Sequence, residues 1–142
     1  TAIRPTSPWL TAWTARWSAI GGSPPVMLYN ELIEVGSFHK VSEKSADYTL
    51  VDTDLDSYLR LSGSGSPVTV TVPADSSVAF PIGTTVAFED VTGDGVEIVG
   101  AGSVTINCAS GFQPATHGQY AVIQIKKVAT DEWTIFGNLA PA

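Results

Sequence analysis

The sequence predicts a mainly β protein: an antiparallel sandwich or barrel-like domain with a short N-terminal helical arm. Three observations predict it. Alternating apolar and polar runs recur after residue 26, led by Val68-Thr69-Val70-Thr71-Val72. Turn residues punctuate them, with 13 glycines and 9 prolines in 142 residues. A helical period occurs in one place, where Trp9, Trp13 and Trp17 fall four residues apart.

That helix is predicted over Pro8 to Ile20. Ser7 is suited to cap it, Pro8 stands at the first helical position where a missing N–H does no harm, and Gly21-Gly22 supply the stop. The three tryptophans share one face, with Ile20 at its lower end. Gly21-Gly22-Ser23-Pro24-Pro25 reads as a linker, flexible first and stiff after. The domain organisation follows: an anchoring arm over residues 1–25 and a β-domain over residues 26–142.

Within the β-domain the period is two. Tyr58-Leu59-Arg60-Leu61, Val68 to Val72, Thr85 to Glu89, Val96 to Val99, Ser103 to Ile106, Tyr120 to Ile125 and Glu132 to Phe136 each read as a short strand. Gly63-Ser64-Gly65, Gly93-Asp94-Gly95, Gly100-Ala101-Gly102 and Asp131 mark turns between them. Seven short strands with frequent turn signals predict a sandwich or barrel. Their spacing is not a strict repeat, so neither a solenoid nor a propeller is predicted.

Charged residues make up 15% of the chain, against roughly a quarter in an average globular protein, and Ser and Thr fill many of the polar positions instead. The net charge of −7 is unevenly placed. Residues 1 to 30 hold Arg4 and Arg16 and no acid, and the acidic residues all follow. An acidic body argues against a nucleic-acid partner, because phosphate binding needs clustered Lys and Arg. No run is long and apolar enough for a transmembrane helix, and the Trp-rich start does not read as a signal peptide. The expectation is a chain made in a cytoplasm, with no membrane partner. The single cysteine, Cys108, follows an alternating run on its apolar side and is expected to be a buried structural thiol.

The residues Tyr48-Thr49-Leu50, Tyr58-Leu59-Arg60-Leu61, Val68 to Pro73, Phe80-Pro81-Ile82-Gly83-Thr84-Thr85-Val86, Gly100 to Ile106, Gln119 to Ile123 and Trp133 to Leu139 together resemble a small β-domain of tailed-bacteriophage structural proteins. The resemblance covers roughly residues 45–139. It implies a virion fibre, a decoration protein or a receptor-binding tip, commonly trimeric. A chain with one arm and one β-domain, and no shaft, resembles a head-decoration or short head-fibre protein better than a long tail fibre.

Each chemical motif has a plainer reading. Asp52-Thr53-Asp54-Leu55-Asp56 begins like a calcium loop, but Ser57 stands where that loop needs glycine and Gly63 where it needs glutamate. It reads as a solvated turn before the strand at Tyr58, with an irregular cation site at a subunit contact left open. His39 and His117 lie far apart and no Cys or His pair has zinc-ligand spacing, so no metal is expected; His117-Gly118 reads as a loop. There is no Gly-x-Ser-x-Gly elbow. Glu89-Asp90 and Asp94 flank a glycine-rich turn, where acids are ordinary; a carboxylate pair for sugar hydrolysis stays open on sequence alone. Trp133 alternates with Ile135 and is expected in the core or at a subunit interface rather than stacked on a sugar. No cofactor and no enzymatic activity are expected.

The functional expectation is a structural protein of a tailed-phage virion, assembled in the host cytoplasm. It is a head decoration or short head fibre, anchored to the capsid or another virion protein by Arg4, Trp9, Trp13, Arg16 and Trp17, and homotrimeric. The alternative is a tail-fibre, adaptor or lectin-like module that recognises a host surface glycan.

Overall fold

The chain divides at Lys40, and the structure, a computed structural model, describes residues 40–142. The expected helix, the five expected partner-binding residues of the arm and the boundary at residue 25 all lie outside the described residues.

Residues 40–142 form eleven strands: β1 (Val41–Lys44), β2 (Tyr48–Thr49), β3 (Tyr58–Leu61), β4 (Val68–Val72), β5 (Thr85–Asp90), β6 (Val96–Gly100), β7 (Thr105–Asn107), β8 (Phe112–Thr116), β9 (Val122–Ala129), β10 (Glu132–Gly137) and β11 (Leu139–Pro141). They build a six-stranded sheet, β1-β3-β5-β9-β10-β7, and a five-stranded sheet, β11-β8-β6-β4-β2. One hydrophobic core unites inward side chains of both.

The sheets are mixed, which corrects the expected antiparallel arrangement. The first six strands alternate between sheets, and each lies parallel to the strand two places before it: β1 on β3 on β5, and β2 on β4 on β6. The chain thus winds as a coil before β8, β9 and β11 close it with antiparallel pairs. The Gly63-Ser64-Gly65 and Gly93-Asp94-Gly95 turns carry the chain across to the facing sheet instead of folding a strand back on its predecessor. Only β9 and β10 form the hairpin that the turn signals suggested; there Asp131 takes the left-handed conformation, with φ of 52°. The coil was hidden from a repeat search because its turns differ in length. Val41 lies opposite Tyr58, but Tyr58 lies opposite Ala87.

The alternation itself places the core. Val68, Val70 and Val72 of β4 are buried while Thr69 and Thr71 are half-buried on the outer face. Leu59, Leu61, Val86, Phe88, Ile98, Ile123, Ile125, Trp133 and Ile135 follow the same rule from their own strands. Val104 and Ile106 pack against this core, and Thr105 is exposed. Strands β8 and β11 contain Pro114 and Pro141, which obscure them in the sequence. They are tolerated because β8 meets β6 at one residue pair, Glu97 opposite Ala115, and meets β11 across a register shift. Gly137 turns β10 out of its sheet with φ of 119°; a β-carbon there would stand 2.7 Å from the Val122 carbonyl oxygen.

Candidate functional site

Two inward rows end on charged residues, one at each end of the sandwich. On β9 the row Ile123, Ile125 continues to Lys127, and on β5 the row Val86, Phe88 continues to Asp90. A charge at an inward position must find partners or destabilise the fold. Both find them.

Lys127 Nζ donates to Asp75 Oδ1 at 2.7 Å and to the Phe80 carbonyl at 2.6 Å. It thereby ties β9 to the segment between β4 and β5. Asp75 in turn donates its backbone N–H to Asp131 Oδ1 at 2.7 Å, and Ser103 Oγ donates to the other oxygen of Asp131 at 3.2 Å. Three loop segments and strand β9 therefore share one network at this end. Trp133, opposite Lys127 in the β9–β10 ladder, packs edge-on against Phe80 with ring centroids 5.7 Å apart. It is a core tryptophan held by packing, and its Nε1 has no hydrogen-bond partner among the described residues.

At the other end, the Asp90 carboxylate accepts N–H bonds from Gly93 at 2.8 Å and Gly95 at 3.1 Å, plus the Thr116 hydroxyl at 3.2 Å. Thr116 Oγ1 also accepts from the Val96 N–H. Asp90 is thus the scaffold of the glycine-rich turn.

The stretch from Asp52 to Asp56 opens with a 3-10 turn over Asp52–Asp54. Asp54 is buried, not solvated as expected. Its carboxylate accepts the Tyr48 hydroxyl at 2.6 Å and the Val51 N–H at 2.8 Å, and the Ser57 hydroxyl donates to its carbonyl. Asp56 Oδ1 accepts the Thr85 N–H at 3.1 Å. Burial and the bond to Asp54 push the Tyr48 hydroxyl up to about 12. Among the described residues no three Asp, Glu, His or Cys side chains gather as a metal site would require, and no helix is long and apolar enough to cross a membrane.

On the outer face of the larger sheet, Glu43, Arg60 and Glu89 stand side by side across β1, β3 and β5. Arg60 Nε donates to Glu89 at 3.1 Å and its guanidinium lies 3.5 Å from Glu43. Tyr58 donates to the same Glu89 oxygen at 3.0 Å, and burial together with that bond raises its pKa. His117 lies in the β8–β9 loop. Cys108 is half-buried against the core, less enclosed than the buried thiol expected.

Among the described residues, two surface clefts have a largely apolar lining. A cleft of about 380 Å³ lies between Val51 and Leu55 on one side and Val78, Phe80 and Pro81 on the other. A smaller one of about 180 Å³ is formed by Ala109, Phe112, Ile135, Phe136, Gly137 and Leu139. Sequence reasoning missed the Lys127 network, although the signal was present as a lysine on the inward parity of β9. It also missed the smaller cleft, where the predicted strand β10 meets β8 and β11, which proline disguises, and Ala109 of a crossing that no local pattern reveals. No family model matches the chain, and no curated protein or solved structure was found to match it.

Proposed function

We propose that this chain is a structural protein of a tailed-phage virion, a head decoration or short head fibre. The β-domain is its outward body. The N-terminal segment, with Arg4, Trp9, Trp13, Arg16 and Trp17, is its attachment element to the capsid or another virion protein, and three copies assemble together. The observation that carries this reading is how the β-domain uses its buried charged groups. Lys127, Asp90 and Asp54 each fasten a loop or turn to the sandwich, which gives a rigid body built to withstand exposure rather than to perform chemistry. The segregation of charge supports it too: Arg4 and Arg16 precede every acidic residue of the chain and suit an acidic docking surface.

Three aromatic side chains at helical spacing offer the affinity. Each tryptophan buries roughly 150–250 Å² when covered. At about 25 cal/mol per Å² the set represents on the order of 10 kcal/mol as an upper bound.

The test is to add the purified, fluorescently tagged chain to mature tailless heads, to isolated tails and to host cells. Saturable binding to heads is the expected result. Binding to tails or to cells alone would replace this reading with the adaptor or glycan-recognition alternative.

A further inference from the structure

From Ile98 through Ile125 the sequence contains no Asp, Glu, Lys or Arg, and from Trp133 to Ala142 again none. The fold brings these two stretches together. Besides the end of β6 and the start of β9, they supply β7, β8 and β11, all but the first residue of β10, and the crossing from β7 to β8. They therefore make up most of one flank of the sandwich, where β7 ends one sheet and β11 ends the other.

The smaller apolar cleft lies on this flank. Core residues Ile135 and Leu139 reach the surface there between Phe112, 48% exposed, and Phe136, 41% exposed. Charged side chains border it: Glu132, which accepts a hydrogen bond from Asn107 at 2.8 Å, Glu97 opposite Ala115, and exposed Lys126 opposite Thr134 on β10.

The rest of the domain is strongly acidic. Arg4 and Arg16 offset Glu31 and Glu34, so the net charge of −7 falls on residues 40–142. Two copies that approach by any acidic face repel each other within the Debye length of roughly 8–10 Å. The uncharged flank is where that repulsion is least. It also has the composition of an interface centre: exposed aromatic side chains and few charges. Its edge strands are three residues long and β11 contains Pro141, so side-chain packing, not added strand pairing, would hold the contact.

We propose that this flank, centred on Phe112 and Phe136, is the surface through which copies of the chain meet. The proposal rests on the trimeric reading above and assigns it a surface.

The test measures the mass of the full-length chain at micromolar concentration by sedimentation, for the wild type, Phe112→Glu, Phe136→Glu and a control, Ile82→Glu. Ile82 is 66% exposed in the β4–β5 segment, away from the flank. The wild type and the control are expected as three-chain species, with both flank variants reduced to folded monomers by circular dichroism. A second measurement covers the case in which a flank variant fails to fold. In a Cys108→Ser background, Ser110→Cys should be joined to its copies by a short bis-maleimide, and Ser64→Cys should not.

Trimeric flank variants, or cross-linking at position 64 alone, would overturn the surface while leaving the trimer in place. A monomeric wild type would overturn the trimer and the surface together. Flank variants that stay trimeric but no longer join particles would mean that the cleft receives a virion partner instead.

Discussion

Lys127 and Asp75 close one end of the sandwich as an ion pair of 2.7 Å whose members differ sharply in exposure. The lysine side chain is 2% exposed and the aspartate 25%. The asymmetry decides what each loss does. Asp75→Ala strands a buried ammonium with the Phe80 carbonyl as its remaining partner and is expected to destabilise the domain by about 3 kcal/mol. Lys127→Met leaves an aspartate that water can reach and fills the lysine's apolar path, at about 1 kcal/mol. Urea unfolding of the two variants checks the order. Equal losses would mean that the pair is not the buried tie described.

The register of β4 gives a second prediction. Val70 is fully buried and Thr71 half-buried on the outer face. Val70→Asp places an unpaired charge in the core and should cost about 4 kcal/mol or more. Thr71→Asp should cost less than about 1 kcal/mol. Thermal melts of both proteins measure the difference, and matching melting temperatures would contradict the register.

Much of this architecture is legible in the sequence because period two survives wherever one face of a strand is buried. Strands β3 and β4 fall where the alternation of Tyr58 to Leu61 and Val68 to Val72 puts them. The direction of pairing is not legible. A glycine turn such as Gly93-Asp94-Gly95 serves equally to close a hairpin or to carry the chain to a facing sheet, and here β6 leaves it to pair in parallel with β4, a partner that the turn's own residues do not reveal. The functional surface is less legible still. An absence of charge from Ile98 to Ile125 becomes a surface only once β7, β8, β10 and β11 are assembled on one flank.

A third prediction concerns alkaline pH. Tyr48 holds its proton more tightly folded than unfolded, about 12 against 10.0. Its contribution to stability is therefore complete below pH 10 and is lost as the pH rises through about 12. Tyr58, raised by burial and by Glu89, acts in the same direction. Stability measured by urea unfolding should fall over this window, and Tyr48→Phe should flatten the fall while lowering stability at neutral pH by about 1 kcal/mol for the lost bond to Asp54. An unchanged alkaline slope in Tyr48→Phe would show that the Tyr48–Asp54 bond is not the cause.

The central claim is that the N-terminal segment attaches and the β-domain is attached. Its most direct test is the occupancy of particles by a chain lacking residues 1–22, measured by quantitative gel analysis of purified virions beside the full-length protein and Trp13→Ala. A folded, soluble domain that is absent from particles is the expected result, with Trp13→Ala reduced in occupancy. Normal occupancy by the truncated chain would contradict it and place the attachment on the β-domain itself.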